Sequence, residues 1–320
     1  MTEPRYDVTT LGEMMLRLSI PSGKRLEHAT QLDVYPAGAE ANVTTLLARL
    51  ERKTCWMGAL PKNPLGRLAV NALRVAGVDT GGVIWKEGGR MGTYYVEFGE
   101  PPRGIQVTYD RAHSCATQLR VNDIDWDLLL DTRLLHLTGI TPPLSPSCQE
   151  IIIEAVHRAR ERGVPISFDI NYRQKLWSAT DAAQMLLPLI RDVELLFCSQ
   201  ADAVRLFHCT GSMQEIAQRM LELSKAHHVI VTFAEQGVLL WNGKEWQHEA
   251  ARSTHIIDRL GAGDALAAGV IHGWLDGDLS AGLRYGVTLA ALALSQFGDM
   301  VMTNKSELLV LSQSSSTLTR

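Results

Sequence analysis

From about residue 130 the chain alternates short apolar runs with longer amphipathic ones, and no other feature constrains its fold as much. Leu134–Gly139, Val164–Ile170, Leu195–Cys198 and Val229–Phe233 read as strands. Between and after them, Ser145–Gly163, Asp181–Ile190, Asp202–Phe207 and Ile216–Lys225 carry helical spacing, with Pro146 suited to a first helical position. Strands joined by helices build a parallel sheet covered on both faces. Ligands of such sheets collect beyond the C-terminal ends of the strands. Gly237–Lys244 adds a strand and an Asn242-Gly243 turn that suits a hairpin. Leu283–Phe297 reads as a nearly polar-free helix.

Upstream, Val8–Leu11 and Thr54–Leu60 read as strands. Val43–Leu50 is a helix with Val43, Leu46, Leu47 and Leu50 on one face, and Pro64–Ala76 is a helix stopped by Gly77. Leu16–Ile20 alternates apolar and polar residues, as a half-exposed strand would. Met91–Phe98 and Ile105–Arg111 give a hairpin signal with no helix between them. These β-rich segments predict a small sheet apart from the main one, with exposed Tyr and Arg, suited to covering a polar ligand.

A net charge of −4 offers no basic surface to track a nucleic-acid polymer or an acidic membrane. The N-terminus lacks the apolar core of a signal peptide, and no apolar run approaches the ~18 residues of a membrane span. The five cysteines include no CxxC pair and read as reduced, packed thiols, which points to the cytoplasm. His136, His227, His228 and His255 sit in or beside strands and read as structural. No Walker loop, GxGxxG or GxSxG occurs.

The stretch that carries chemistry is Asp258-Arg259-Leu260-Gly261-Ala262-Gly263-Asp264, opening an apolar helix. Small residues admit a ligand close to the backbone, and the free N–H groups of a first helical turn attract an anion. A carboxylate there suits a base that takes a proton from a hydroxyl attacking a phosphate. The plainer reading is a cap on a packing helix. Asp169, Asn171 and Arg173 stand at alternate positions of a strand end, so they converge on one ligand or form a surface salt bridge. Asp202 suits Mg²⁺ held through water, or a helix start favoured by the dipole.

Taken together, these residues resemble the PfkB/ribokinase family of carbohydrate kinases. Asp258–Asp264 is similar to that family's DTxGAGD signature, with Arg259 in place of Thr, and Pro36–Asn42 is similar to its N-terminal signature, with Ala37-Gly38 for Gly-Gly. The resemblance implies a ribokinase-like three-layer α/β/α sandwich: a kinase body of residues 1–13, 36–89 and 116–311, a lid of 14–35 and 90–115, and a polar tail of 312–320. It implies Asp264 as catalytic base and an anion hole of Gly261, Ala262 and Gly263. Ser199 and Asp202 match the outer positions of a magnesium-positioning NxxE motif. Thr232–Gly237 resembles a nucleotide loop written KxGxxG, with Thr232 for Lys and Ala234 for Gly. ATP contacts are thus implied at Ser199, Thr232, Ala234, Gly237, Gly261 and Gly263. Mg²⁺ is implied at Asp202, and a monovalent cation (K⁺) at Asp258. Within the family the likeness is strongest to the kinases of 2-keto-3-deoxygluconate, through Gly38, Ala39, Asn42, Tyr94, Tyr109, Arg111, Asn171 and Arg173 as substrate contacts. The two arginines would engage an acid sugar. Fructokinases and 5-dehydro-2-deoxygluconate kinases share much of the pattern, and a sugar or nucleotide sensor without catalysis is the alternative of another class. The family also implies a homo-oligomer, such as a dimer through the lid.

Overall fold

The computed structural model describes residues 3–99 and 102–313. Its strands, in chain order, are β1 (Tyr6–Leu11), β2 (Met15–Ser19), β3 (Asp33–Ala37), β4 (Thr54–Pro61), β5 (Val83–Lys86), β6 (Thr93–Glu97), β7 (Gln106–Asp110), β8 (Thr132–Thr138), β9 (Ile166–Asp169), β10 (Leu195–Ser199), β11 (His228–Thr232), β12 (Val238–Trp241) and β13 (Trp246–Glu249). Nine of them form one sheet in the order β13-β12-β11-β10-β9-β8-β1-β4-β5. It is parallel throughout except for β12 and β13, which add an antiparallel edge through the expected Asn242-Gly243 turn.

Both faces are covered. Leu135 and Leu137 of β8 join one apolar cluster with Ile152, Leu186 and Met220, while Leu134 joins another with Leu47, Val270 and Leu283. Neighbouring residues thus serve opposite cores, as a strand between two helical layers requires. The ribokinase-like three-layer α/β/α sandwich is observed. Local capping explains several helix ends: Asn63 Oδ1 accepts the N–H groups of Leu65 and Gly66 to start Pro64–Ala76, and Gly77 stops it. Sequence periodicity missed β5, β13 and the helices Trp126–Leu130 and Lys305–Gln313, which are short or weakly patterned. The last helix takes in residues 312–313 of the expected tail, and residues 314–320 lie outside the described residues, as does part of the expected β6–β7 connection.

The remaining strands make a second sheet, β3-β2-β6-β7. Two expectations change there. The strand β3 runs through Pro36 to Ala37, beyond the boundary drawn at 35, because an edge strand tolerates a missing N–H. The strand β2 is not half-exposed: Arg17 is 0% exposed and Ser19 2%. Tyr94 and Arg111, expected on an exposed face, are buried as well. Lys175 reaches from the body to donate to the Val107 carbonyl of β7 at 2.6 Å, tying the loop after β9 to this sheet. Among the described residues no helix is long and apolar enough to cross a membrane.

Candidate active site

Two helix N-termini meet above the sheet. Ala39–Arg49 starts after Gly38, and Ala262–Leu275 starts after Gly261. Neither start has a side-chain cap, whereas Asn63, Asp125, Ser145, Ser178, Ser199, Ser212 and Asp278 all cap helices of their own. The free N–H groups of two first turns therefore remain available to a ligand. Gly261 has φ +83°, and an added Cβ would lie 2.4 Å from the Asp299 carbonyl oxygen. At Gly38 an added Cβ would lie 2.3 Å from the Glu13 carbonyl oxygen, so only glycine lets these segments touch. A Cβ at Gly263 would meet nothing within 4 Å, which leaves the Gly261–Gly263 cradle open on that side.

Asp264 lies in the first turn of its helix, half-buried. Asn42 Nδ2 donates to its Oδ2 at 2.7 Å, and Asn42 Oδ1 accepts the Gly38 N–H at 3.3 Å. The amide is therefore oriented from both ends. Burial pushes the Asp264 carboxyl up to about 7, opposed by the Asn42 bond and by the Arg173 charge. Asp169, at the end of β9, is pushed up to about 8 by burial and by the charges of Asp264 and Asp202. Burial also raises Asp202. Three acids thus share one region, and Arg173 is the positive charge that opposes each of them. Arg173 is exposed, donates to the Tyr172 carbonyl, and makes no ion pair with a carboxylate among the described residues. Its neighbour Asn171 holds a left-handed backbone at φ +40°, turning the chain sharply off the strand.

Other expected residues are brought close but committed elsewhere. Arg111 is ion-paired with Glu13 through Nε and Nη2, and the other Glu13 oxygen accepts Ser114 Oγ at 2.5 Å. The Tyr94 hydroxyl donates to Asp299 Oδ2 at 2.7 Å, and its ring packs 5.6 Å from that of Tyr109. Asp258 is 0% exposed and lies against Arg17. Ser199 Oγ caps the helix Gln200–Phe207 by accepting the Asp202 N–H at 3.0 Å. Ser199 also pairs in register with Thr232, so the two stand side by side at neighbouring strand ends. Ala234 keeps φ +50° and Gly237 φ +97°, so the loop holds a glycine-like turn even where alanine replaces glycine.

Sequence reasoning missed Glu40, Arg17 and Asp299, and read Asp169 only as one of three strand-end residues converging on a ligand or forming a surface salt bridge. Glu40 is 1% exposed and accepts from Thr138 at 2.7 Å and Thr141 at 2.8 Å, and its charge also raises Asp264. Its position inside Gly38–Asn42 was the available signal. Among the described residues no group of three or more His, Cys, Asp and Glu gathers around a metal. A single half-buried carboxylate such as Asp202, raised by burial, fits an ion held chiefly by phosphates and water.

The chain is similar to known proteins over nearly its whole length. A model of the pfkB family carbohydrate kinases matches residues 6–306. A 2-dehydro-3-deoxygalactonokinase of Haloferax volcanii is 34% identical over 94% of this chain and 95% of its own. A 2-dehydro-3-deoxygluconokinase of Bacillus subtilis is 31% identical over 92% of each. The crystal structure of 2-dehydro-3-deoxygluconokinase from Thermotoga maritima superposes with a TM-score of 0.91 at 32% identity, covering 97% of this chain and 99% of that one.

Proposed function

The chain belongs to the pfkB family of carbohydrate kinases, and from that premise we propose that it phosphorylates 2-keto-3-deoxygluconate at its 6-hydroxyl, using ATP with Mg²⁺. The observation that carries this reading is Asp264, held by Asn42 beside an uncapped helix start and opposed by Arg173, which has no carboxylate partner among the described residues. Asp264 accepts the proton of the attacking hydroxyl, a role suited to a carboxyl raised to about 7. The N–H groups of Gly261, Ala262 and Gly263 face the transferring phosphoryl group, whose negative charge is spread over its outer oxygens. Arg173 engages the sugar carboxylate, a bidentate pairing that a neutral hexose lacks. Asp202 holds Mg²⁺ through water; when bound, that ion neutralises charge on the phosphates. Ser199, Thr232, Ala234 and Gly237 line the nucleotide side, and Gly38, Ala39, Asn42, Tyr94, Tyr109, Arg111 and Asn171 the sugar side. The lid then closes over both and keeps water from the phosphoryl group. We expect this chemistry in the cytoplasm, in a homo-oligomer joined through edge strand β3, whose Val34 is 45% exposed.

The second reading is the 4-epimer, 2-keto-3-deoxygalactonate, favoured by the relative that is 34% identical. ADP release measured on both epimers, on fructose and on 5-dehydro-2-deoxygluconate decides between them. The proposal expects kcat/KM for 2-keto-3-deoxygluconate to exceed that for fructose by roughly a hundredfold or more, the worth of one lost charge-assisted pair. Preference for fructose would overturn it.

A further inference from the structure

The family resemblance placed a monovalent cation at Asp258, and the residues present do not fit one. Arg17 of β2 reaches into that position from the lid. Its Nη2 lies 2.5 Å from Asp258 Oδ2, an ion-pair contact off the hydrogen-bonding direction, and its Nη1 donates to Asp299 Oδ1 at 2.7 Å. Its Nε donates to Ser19 Oγ at 2.7 Å, and the guanidinium packs against the rings of Tyr35 and Phe98 at 5.4 and 5.3 Å. The side chain is fully buried. The four carboxylate oxygens around it are all committed. Asp258 Oδ1 accepts the Leu260 N–H at 3.0 Å and Oδ2 the Gly298 N–H at 3.3 Å, while Asp299 uses Oδ1 for Arg17 and Oδ2 for Tyr94. A potassium ion needs several oxygens turned toward one point. Here that point faces a fixed positive charge, which repels a second cation at short range.

The location gives the guanidinium a role. The Asp299 carbonyl oxygen packs directly on Gly261, so the cluster lies behind the N–H groups of the proposed anion hole. We infer that Arg17 is a positioning residue that supplies from within the chain the positive charge a monovalent cation would bring, so that this kinase works without K⁺. Because Arg17 stands on a lid strand and Asp258 opens the cradle segment, the same contact fixes the lid to the cradle. Arg17 itself touches neither phosphate nor sugar.

The activity readout depends on the proposed substrate, whereas a thermal readout does not. The test compares the wild-type chain and Arg17→Met in KCl, NaCl and N-methylglucamine chloride at one ionic strength, by ADP release and by thermal unfolding with ATP and Mg²⁺. Wild-type rate should stay within about twofold across the salts, and its Tm should not follow K⁺. Arg17→Met should lose about tenfold or more in kcat without K⁺, and K⁺ should restore part of the rate and raise Tm as it is titrated in. A wild-type enzyme that loses about fivefold or more in rate without K⁺, or whose Tm rises with K⁺ but not with Na⁺, overturns the inference. So does an Arg17→Met enzyme with wild-type kcat in N-methylglucamine. The wild-type arms need no variant to fold, and the Tm arm decides even if none of the tested sugars is the substrate.

Discussion

Two groups of acids lie near the Gly261 turn, and the molecule treats them oppositely. At Asp258 and Asp299 every carboxylate oxygen has a donor and a buried guanidinium sits between the two acids. At Asp169, Asp202 and Asp264 burial is offset only in part, by Asn42 on Asp264 and the Tyr172 N–H on Asp202, and the nearby guanidinium is exposed and unpaired with any of them. The first arrangement holds a shape. The second keeps an electrostatic cost in the free protein, which a cationic ligand or a proton relieves. Such a difference separates a structural cluster from a working one more sharply than residue type does.

Replacing the proposed base should have the largest effect. Asp264→Asn should lower kcat by about 10³-fold or more, while ATP affinity holds and Tm at pH 8 stays level or rises because a buried charge has gone. A fall in Tm with near-normal kcat would move Asp264 into the structural class. Arg17→Met should differ in kind, losing stability together with the K⁺-free rate. It strands two buried carboxylates, at about 3–5 kcal/mol for a broken buried pair, read as an early urea midpoint. Arg173→Ala comes next: KM for the acid sugar should rise about ten- to a hundredfold with Tm unchanged and fructose turnover unaffected.

The pH response sharpens the contrast further. Asp264 at about 7 and Asp169 at about 8 lie above the unfolded carboxylate value of roughly 3.9. Between those values the folded chain keeps protons that the unfolded chain has released, so stability falls as pH rises from about 4 toward 8. Over the same range kcat/KM should climb through about 7 as Asp264 loses its proton. Urea midpoints at pH 5 and pH 8 check the first trend, with Asp169→Asn flattening it; a midpoint that rises with pH contradicts it. The smallest effect is expected at Ala234. Glycine would relieve its positive φ but loosen the unfolded chain by about 0.4–1 kcal/mol, so Ala234→Gly should leave Tm nearly unchanged.

Much of the fold was legible because its signals are local. Alternating apolar runs named the parallel strands, and Asn63, Gly77, Ser145 and Gly163 mark helix ends through bonds a few residues long. Asp264 was legible for the same reason, since its place in a Gly-rich first turn is a local pattern. What stayed hidden was pairing at a distance. Arg111 drew notice only as a ligand contact, and its pairing with Glu13, 98 residues earlier, left no mark in the local pattern. Arg17 looked like the outward residue of a half-exposed strand. Strand periodicity reports which face a side chain takes, not what covers that face. Asp299 lies in a loop with no pattern of its own, and only its contacts with Arg17 and Tyr94 give it meaning.

The contact between Arg17 and Asp299 spans 282 positions of the chain. During synthesis β2, the first lid strand, leaves the ribosome early, while its acidic partner emerges near the end. Until then a guanidinium destined for the interior stays in water, and the lid lacks this anchor on the body. Closing this contact is therefore a late step of maturation, and it braces the phosphoryl cradle at the same moment. An unfinished or C-terminally truncated chain can hold ordered strands and still be unable to position a phosphate.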